Sequence, residues 1–210
     1  MSRRLPGAPV DPASLAPGDP LAVHVGQVIG ALHDVDPAVV EDAGAPAYDS
    51  EQYRTRRLAD VDRAARTGQV PAPLLLRWER ALEQVDRWRF LTTPVHGDLA
   101  GPNVRTDGQV VTGLVGWGDA RVADPADDLA WICVGASAGV LDTVVEAYAM
   151  ARSDAPDKHL LERAHLAGEL ALARWLLAGV AQDDAAVVDS ATQALQDLAE
   201  ATREPAAAGA

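Results

Sequence analysis

The chain has 210 residues, of which 48% are hydrophobic and 23% are charged, and this composition supports a globular core and excludes a disordered chain. Its 31 acidic residues outnumber its 18 Lys and Arg residues, so the formal net charge is -13. A surface this acidic repels phosphate backbones and anionic lipids, and we therefore expect neither a nucleic acid nor a membrane as a partner. The charge suits a cationic small molecule, although an acidic surface also serves solubility alone.

The N-terminal part of the chain predicts an extended lead-in followed by three helices. Residues 1–19 are rich in Pro, Gly and Ala and show no periodicity. At the end of this lead-in, Asp19 and Pro20 favour a helix start, because Asp caps a helix N-terminus and Pro fits its first position. Pro37 is expected to end this helix, with a loop after it. The next two helices are predicted over about 50–66 and 71–88.

The helical periodicity of the sequence ends near residue 92 and resumes near residue 125. A β-like stretch covers 92–96, and residues 104–115 predict a hairpin about the turn Asp107-Gly108. A loop rich in Asp and Gly follows. The later helices are predicted to begin at 125 and to continue over about 139–152, 157–181 and 184–202. Since strands do not alternate with helices, a doubly wound sheet is excluded, and the expected fold class is mainly helical α+β.

The segment 95–104 carries the most informative motif in the chain. Asp98 is followed five residues later by Asn103, between two β-like stretches, and this is the spacing of a kinase catalytic loop. In such a loop Asp98 would accept or orient the proton of an attacking hydroxyl, and Asn103 would hold Mg²⁺ through a neutral oxygen. Asp, Gly, Pro and Asn are also common turn residues, so an ordinary loop is the alternative interpretation.

Two motifs together resemble the aminoglycoside/macrolide phosphotransferase family of small-molecule kinases. The first is His-Gly-Asp-Leu at 96–99 with Asn103, and the second is Gly-Trp-Gly-Asp-Ala-Arg-Val-Ala-Asp-Pro-Ala-Asp-Asp-Leu-Ala at 116–130. Leu-Pro-Gly at 5–7 also resembles the hinge between the two lobes of this family. The resemblance runs from that hinge to the last helix, and it implies the C-terminal catalytic lobe of a protein-kinase-like fold, with a small hairpin beside the catalytic loop.

The resemblance implies a function and a set of site residues. The function is transfer of the γ-phosphate of ATP or GTP to a hydroxyl of a small molecule, such as an aminoglycoside or macrolide antibiotic, with Mg²⁺ as a cofactor. Asp98 would be the catalytic base, and Asn103 would bind the metal and thereby the nucleotide. His96 would brace the loop by a hydrogen bond. Asp128 would hold the backbone of the loop from beneath, or would be a plain helix N-terminal carboxylate favoured by the helix dipole.

The chain departs from the family pattern at the second metal ligand. Gly116 stands where the family carries an Asp, and glycine offers no ligand atom. Asp119, three residues further on, is a candidate replacement, or else a surface turn carboxylate. We therefore expect weak or absent affinity for Mg·ATP.

The N-terminal nucleotide lobe is a further expected departure. No Gly-rich phosphate loop with a strand lysine precedes Asp98. We predict a hinge-like lead-in at 1–19, a catalytic lobe at 20–203 and a flexible tail at 204–210. The chain is expected to be truncated, either because Met1 is an internal or displaced start or because the gene has lost its 5′ part. The alternative function is a non-catalytic, pseudokinase-like binding module.

The location and the substrate chemistry are predicted less directly. Pro and Gly residues occupy the N-terminus where a signal peptide needs apolar residues, so we expect a cytoplasmic protein. Acidic residues on the later helices could line a pocket for a cationic substrate, or could form a solvated acidic face; they are Asp157, Glu162, Glu169, Asp183 and Asp184. The acceptor, the choice of ATP or GTP and the oligomeric state are left open.

Overall fold

A computed structural model describes residues 6–203 of the chain. These residues form two compact units. The first unit comprises the chain up to Tyr53 together with Arg87–Gly168, and the second comprises Arg54–Asp86 together with the chain from Glu169 onward. Leu5 of the hinge-like tripeptide and the predicted tail at 204–210 lie outside the described residues.

Helices make up most of the described residues, and the mainly helical α+β fold class is confirmed. The helices are α1 (Pro20–His33), α2 (Pro37–Asp42), α3 (Ser50–Ala65), α4 (Ala72–Glu83), α5 (Ala126–Gly135), α6 (Ala138–Ala151), α7 (Leu160–Ala181) and α8 (Ala185–Ala201). The strands are β1 (Ala8–Pro9), β2 (Thr93–Val95), β3 (Val104–Thr106), β4 (Val111–Leu114) and β5 (Arg121–Ala123). Within the residues described, no helix has the length and the apolar character needed to cross a membrane.

The predicted loop after Pro37 is wrong, because Pro37 begins a helix there. α1 ends at His33, before Pro37, and α2 starts at Pro37 with Asp36 as its N-cap, whose carboxylate accepts a hydrogen bond from Ala38 N. Proline is well suited to the first position of a helix, where the backbone N–H that it lacks would have no partner in the helix. Proline, which disrupts the interior of a helix, therefore begins a new helix here.

Two small antiparallel sheets lie in the first unit. β3 and β4 form the predicted hairpin about Asp107-Gly108, and β1 joins them on the β3 side. β2 pairs with β5, with Val95 opposite Arg121. β1 and β5 fall in segments that were predicted to be lead-in and loop. Strands of two or three residues are too short to show a period in the sequence, so only their distant partners define them.

The core of the first unit is built where α1 crosses α6. A Cβ at Gly26 would lie 2.2 Å from Val144 O, and one at Gly30 would lie 2.8 Å from the side chain of Ala151, so both glycines allow the two backbones to approach closely. The core cluster continues into α5 through Leu129, which is fully buried. This packing fixes the N-terminal half of α5, which carries two consecutive carboxylates of the candidate site, Asp127 and Asp128.

Candidate functional site

The turn after β2 presents Asp98 to solvent between two buried neighbours. His96 is fully buried and Leu99 is 5% exposed, whereas Asp98 is exposed. Gly97 makes this possible with a φ of +82°, a conformation that side chains rarely adopt. A Cβ on Gly97 would lie 2.3 Å from Asp119 O and 2.6 Å from the Arg121 guanidinium. The glycine therefore allows the loop that follows β4 to pack directly against the turn.

His96 makes the bracing hydrogen bonds expected of it. Its Nε2 lies 2.8 Å from Val115 O, and its Nδ1 lies 3.4 Å from the backbone N of Asp98. A carbonyl can only accept and a backbone N–H can only donate, so these partners assign the proton to Nε2. The ring also packs on Trp117, with centroids 4.7 Å apart. His96 thus ties the residue before Gly116 to the turn that carries Asp98.

Asp128 bonds the backbone of the same turn from within α5, as predicted. Its Oδ2 accepts from His96 N at 2.7 Å, and its Oδ1 accepts from Gly97 N at 2.9 Å. Asp128 is fully buried. A carboxylate in the first turn of a helix is favoured by the helix dipole, but that interpretation does not account for two bonds to a loop 31 and 32 residues earlier.

His33 is the third partner of Asp128, a contact that the sequence analysis did not indicate. Its Nε2 lies 3.3 Å from Asp128 Oδ2, and its Nδ1 lies 3.0 Å from the hydroxyl of Tyr148. Nδ1 therefore accepts from Tyr148, and Nε2 donates to Asp128. Burial raises the pKa of Tyr148, which keeps its hydroxyl protonated as the donor of this chain of hydrogen bonds. No local sequence pattern could have indicated a contact between residues this far apart.

Asn103 lies beside Asp98, and the backbone carbonyl of Asp98 orients the side-chain amide of Asn103. Asn103 closes the 3₁₀ turn Gly101–Asn103, and its Nδ2 donates to Asp98 O at 2.7 Å. With the nitrogen engaged in this way, Oδ1 points toward Gly116, where a Cβ would lie 3.0 Å from it. The structure therefore brings Asp98, Asn103 and Gly116 together in one place.

The residues at this place do not make a complete Mg²⁺ site. Asn103 offers one neutral oxygen, and Gly116 offers no side-chain ligand. Asp119 is exposed at the end of the 3₁₀ turn Trp117–Asp119, and its backbone oxygen accepts from Arg121 Nη1 at 2.8 Å. Across residues 6–203 no group of three or more His, Cys, Asp or Glu is arranged to hold a metal ion. Octahedral Mg²⁺ is normally held by one or two carboxylates, so the donor set present here does not fit the ion.

A cluster around Arg121 was missed by the sequence analysis. Arg121 Nη2 donates to Asp127 Oδ2 at 2.7 Å and to Gly97 O at 3.1 Å. The hydroxyl of Tyr53 also donates to Asp127. Burial alone would lower the pKa of Arg121, but Tyr53 and the Asp127 carboxylate raise it above its ordinary value. Since the same guanidinium also bonds Asp119 O, Arg121 joins the turn before Asp98 to the loop after Gly116.

The acidic residues considered for a cationic pocket are largely engaged with partners of their own. Asp157 receives two hydrogen bonds from Arg163, which also holds the buried Asp124 through its Nε at 2.7 Å. Glu162 pairs with Arg87. Glu169 accepts from Arg77 and from the indole of Trp78. Asp184 caps α8. Glu162, Asp183 and Asp184 are nevertheless exposed, which is compatible with a solvated acidic face. A cationic pocket gains no support from these side chains.

Comparison with known proteins identifies the family. The family model described as "Phosphotransferase enzyme family" matches residues 2–162, and this chain belongs to that family. A macrolide 2'-phosphotransferase type I is similar in structure, with a TM-score of 0.80 and 26% identity over 91% of this chain and 67% of that one. A structure of the GDP and kanamycin complex of APH(2")-IIia shares the fold, with a TM-score of 0.76 and 16% identity over 96% of this chain and 70% of that one.

One curated relative is matched over part of its length. The chain is 31% identical over 115 residues, or 53% of its own length, to the uncharacterized protein YcbJ of Bacillus subtilis (strain 168). This match spans 37% of that relative. Together with the family model, these similarities show a kinase-like phosphotransferase fold whose neighbours act on small molecules.

Proposed function

We propose that this chain carries the acceptor-activating site of a small-molecule phosphotransferase, with Asp98 as the base. The strongest argument for this proposal is the set of hydrogen bonds that hold the loop around Asp98. Asp128 holds the two residues before Asp98 by their backbone N–H groups, and Asn103 holds its carbonyl. All three bonds leave the exposed carboxylate itself uncommitted. A rigid loop that presents one exposed carboxylate is suited to receive a proton from a bound hydroxyl.

The proposed reaction transfers one phosphoryl group and one proton. The acceptor oxygen forms a bond to the γ-phosphorus of ATP or GTP, and the bond between that phosphorus and the bridging oxygen of the nucleoside diphosphate breaks. The proton of the acceptor hydroxyl passes to a carboxylate oxygen of Asp98. General base catalysis of this kind contributes roughly 10²–10⁴ in rate. Asp98 gives up the proton to solvent after the product leaves, because its side chain is exposed.

The expected cofactor is only partly accommodated by this chain. Mg²⁺, when bound in such sites, neutralises charge on the phosphoryl group in transfer. Asn103 is the residue here that would contact it, and the residues present do not complete the site, so no step of the reaction is derived through the metal. The neighbour that binds GDP supports a nucleotide donor for the family. A cytoplasmic location, where nucleoside triphosphates are abundant, is part of the proposal.

A macrolide is the acceptor class that the observations favour. The structural neighbour with 26% identity is a macrolide 2'-phosphotransferase, whereas the neighbour bound to kanamycin is 16% identical. An aminoglycoside carries several ammonium groups and needs free carboxylates. Asp157, Glu162 and Glu169 are already engaged by Arg163, Arg87 and Arg77, which leaves them poorly suited to that role.

The test is phosphoryl transfer from radiolabelled ATP and GTP, at millimolar concentration, to a panel of macrolides and aminoglycosides. The wild-type chain is expected to label a macrolide. Asp98→Asn keeps the shape of the side chain and removes the base, so labelling should fall by roughly 10²–10⁴ with an unchanged melting temperature. Absence of transfer to every acceptor from both nucleotides, by a folded wild-type chain, contradicts the proposal.

A non-catalytic binding module is the second candidate, and Gly116 is the observation that favours it. A chain that lacks a metal ligand can keep its acceptor site while losing transfer. Calorimetry with the same macrolides separates the two functions. Saturable binding of an acceptor that Asp98→Asn leaves unchanged, without transfer in the wild-type chain, supports the binding module.

A further inference from the structure

The backbone of the loop that carries Gly116 is left-handed at that residue, a conformation that side chains rarely adopt. Gly116 has φ +87° and ψ +38°, in the left-handed helical region. Asn and Asp are the non-glycine residues most often found in this region. Its neighbours are held on both sides, since Val115 N donates to Asn103 O at 2.9 Å and the indole of Trp117 donates to Leu114 O at 3.1 Å. An aspartate at position 116 therefore carries backbone strain, which Asp tolerates better than most other residues.

The direction of the absent side chain is equally informative. A Cβ at position 116 would lie 3.0 Å from Asn103 Oδ1, 3.3 Å from its Cγ and 3.5 Å from its Nδ2. The carboxamide, whose Nδ2 donates to Asp98 O, would have to shift by a few tenths of an ångström. A carboxylate on this Cβ would bring charged oxygens beside the amide oxygen of Asn103, which the hydrogen bond from Nδ2 to Asp98 O orients. Carboxylate and carbonyl oxygens are the ligands that Mg²⁺ and Mn²⁺ prefer.

We infer that this chain lacks a divalent-cation site for want of a single side chain at position 116, and that Gly116→Asp alone creates the site together with Asn103. The inference rests on the proposed phosphotransferase site, but it concerns cation binding and not transfer. In the wild-type chain the neutral oxygen of Asn103 is too weak a ligand by itself. The inference assigns the absent ligand to position 116 and not to Asp119, which lies three residues further on at the exposed end of the 3₁₀ turn Trp117–Asp119.

The experiment measures Mn²⁺ binding to the full chain by electron paramagnetic resonance, without nucleotide. Gly116→Asp is expected to bind Mn²⁺ at least about tenfold more tightly than the wild-type chain, by analogy with the losses seen when a supporting group of a metal site is removed. The double variant Gly116→Asp with Asn103→Ala should return to the wild-type affinity. Gly118→Asp is the matched control, because a Cβ at Gly118 meets nothing within 4 Å and the variant adds the same charge two residues away.

Several results would overturn the inference. Wild-type affinity equal to that of Gly116→Asp shows that the site is already complete, and an equal gain in Gly118→Asp shows a charge effect without geometry. The assignment of position 116 and Asn103 as the ligand pair is wrong if a folded Gly116→Asp variant binds Mn²⁺ no more tightly than the wild-type chain. It is also wrong if the gain in Mn²⁺ affinity persists in the double variant with Asn103→Ala. If Gly116→Asp is unstable while Gly116→Asn folds, Mn²⁺ must raise the melting temperature of the aspartate variant, and failure to do so overturns the inference as well. A variant that binds Mn²⁺ and transfers no phosphate contradicts the proposed function and leaves this inference intact.

Discussion

Asp128 Oδ2 accepts a hydrogen bond from the backbone N of His96 over 2.7 Å, although the two residues are 32 positions apart in the chain. This bond joins the first turn of α5 to the turn that presents Asp98. A second bond to Gly97 N and a third from His33 bring the fully buried carboxylate to three protein partners. The position of the exposed Asp98 is therefore set from the core, by a helix that the packing of α1 and α6 holds in place.

Asp128→Ala is expected to lower the free energy of unfolding by roughly 1–3 kcal/mol, because it leaves buried N–H groups without a partner. Urea denaturation measures this loss. Asp142→Ala, at an exposed position on α6, is the control and should stay within about 0.5 kcal/mol of the wild-type chain. Equal effects of the two substitutions would show that the buried bonds to the loop contribute nothing to stability.

Arg121→Lys tests whether the guanidinium joins the two loops. Lysine keeps the positive charge, but its single ammonium cannot reach Asp127, Gly97 O and Asp119 O together, as Arg121 does. The expected loss in the free energy of unfolding is roughly 1–3 kcal/mol. In the transfer assay the rate constant kcat should fall more than KM rises, because the proposed base is displaced while acceptor contacts remain.

The control for Arg121→Lys is Arg87→Lys, since the Arg87 side chain is 46% exposed and pairs with Glu162, whose side chain is 50% exposed. Exposed ion pairs contribute about 0–1 kcal/mol, so this variant should be close to the wild-type chain in stability. If Arg121→Lys is equally mild and leaves transfer unchanged, Arg121 has no part in positioning the loop.

Local patterns in the sequence were sufficient for the parts of the structure that local interactions define. Asp19 was predicted to cap α1, and its carboxylate accepts from Leu21 N. The turn Asp107-Gly108 was predicted from its residue types, and the hairpin is present. The spacing of Asp98 and Asn103 indicated the loop, and the resemblance to the phosphotransferase family indicated Asp128 as its support.

The rest of the site depends on partners that are distant in sequence. Tyr53 meets Asp127 across 74 positions, and His33 meets Asp128 across 95. Arginine, tyrosine and histidine at such positions look like ordinary helix or loop residues, and only the folded chain shows what they contact. The strand β5 was missed for the same reason, since its three residues are defined by pairing with β2.

The stability of the first unit should depend on pH through Asp157. Burial opposes ionisation of this carboxyl, but the hydrogen bonds and the charge of Arg163 hold its pKa below the ordinary value. A lowered pKa in the folded state stabilises the protein above the unfolded pKa of about 3.9, and this contribution disappears as the pH falls through the folded value. Asp157→Asn should therefore destabilise the chain at pH 7 and make little difference at strongly acidic pH.

Denaturation of the wild-type chain and Asp157→Asn across the acidic range measures that convergence. Asp154→Asn, at an exposed position three residues earlier, is the matched control and should give the same small difference at every pH. A gap between the wild-type chain and Asp157→Asn that stays constant down to strongly acidic pH would show that the ion pair with Arg163 is not the source of the stabilisation.

Nucleotide binding is expected to be weak in the wild-type chain and to improve in Gly116→Asp. A ligand that binds only the folded state stabilises it by mass action, and for a chain of this size each kcal/mol raises the melting temperature by roughly 2–4 °C. In a thermal-shift titration with ATP or GTP at submillimolar concentration, we expect no Mg²⁺-dependent shift for the wild-type chain and a clear one for Gly116→Asp. Asp119→Ala in the wild-type background should change nothing, since Asp119 is not assigned as a ligand. A strong Mg²⁺-dependent shift of the wild-type chain that Asp119→Ala abolishes would reverse the assignment and make Asp119 the second metal ligand.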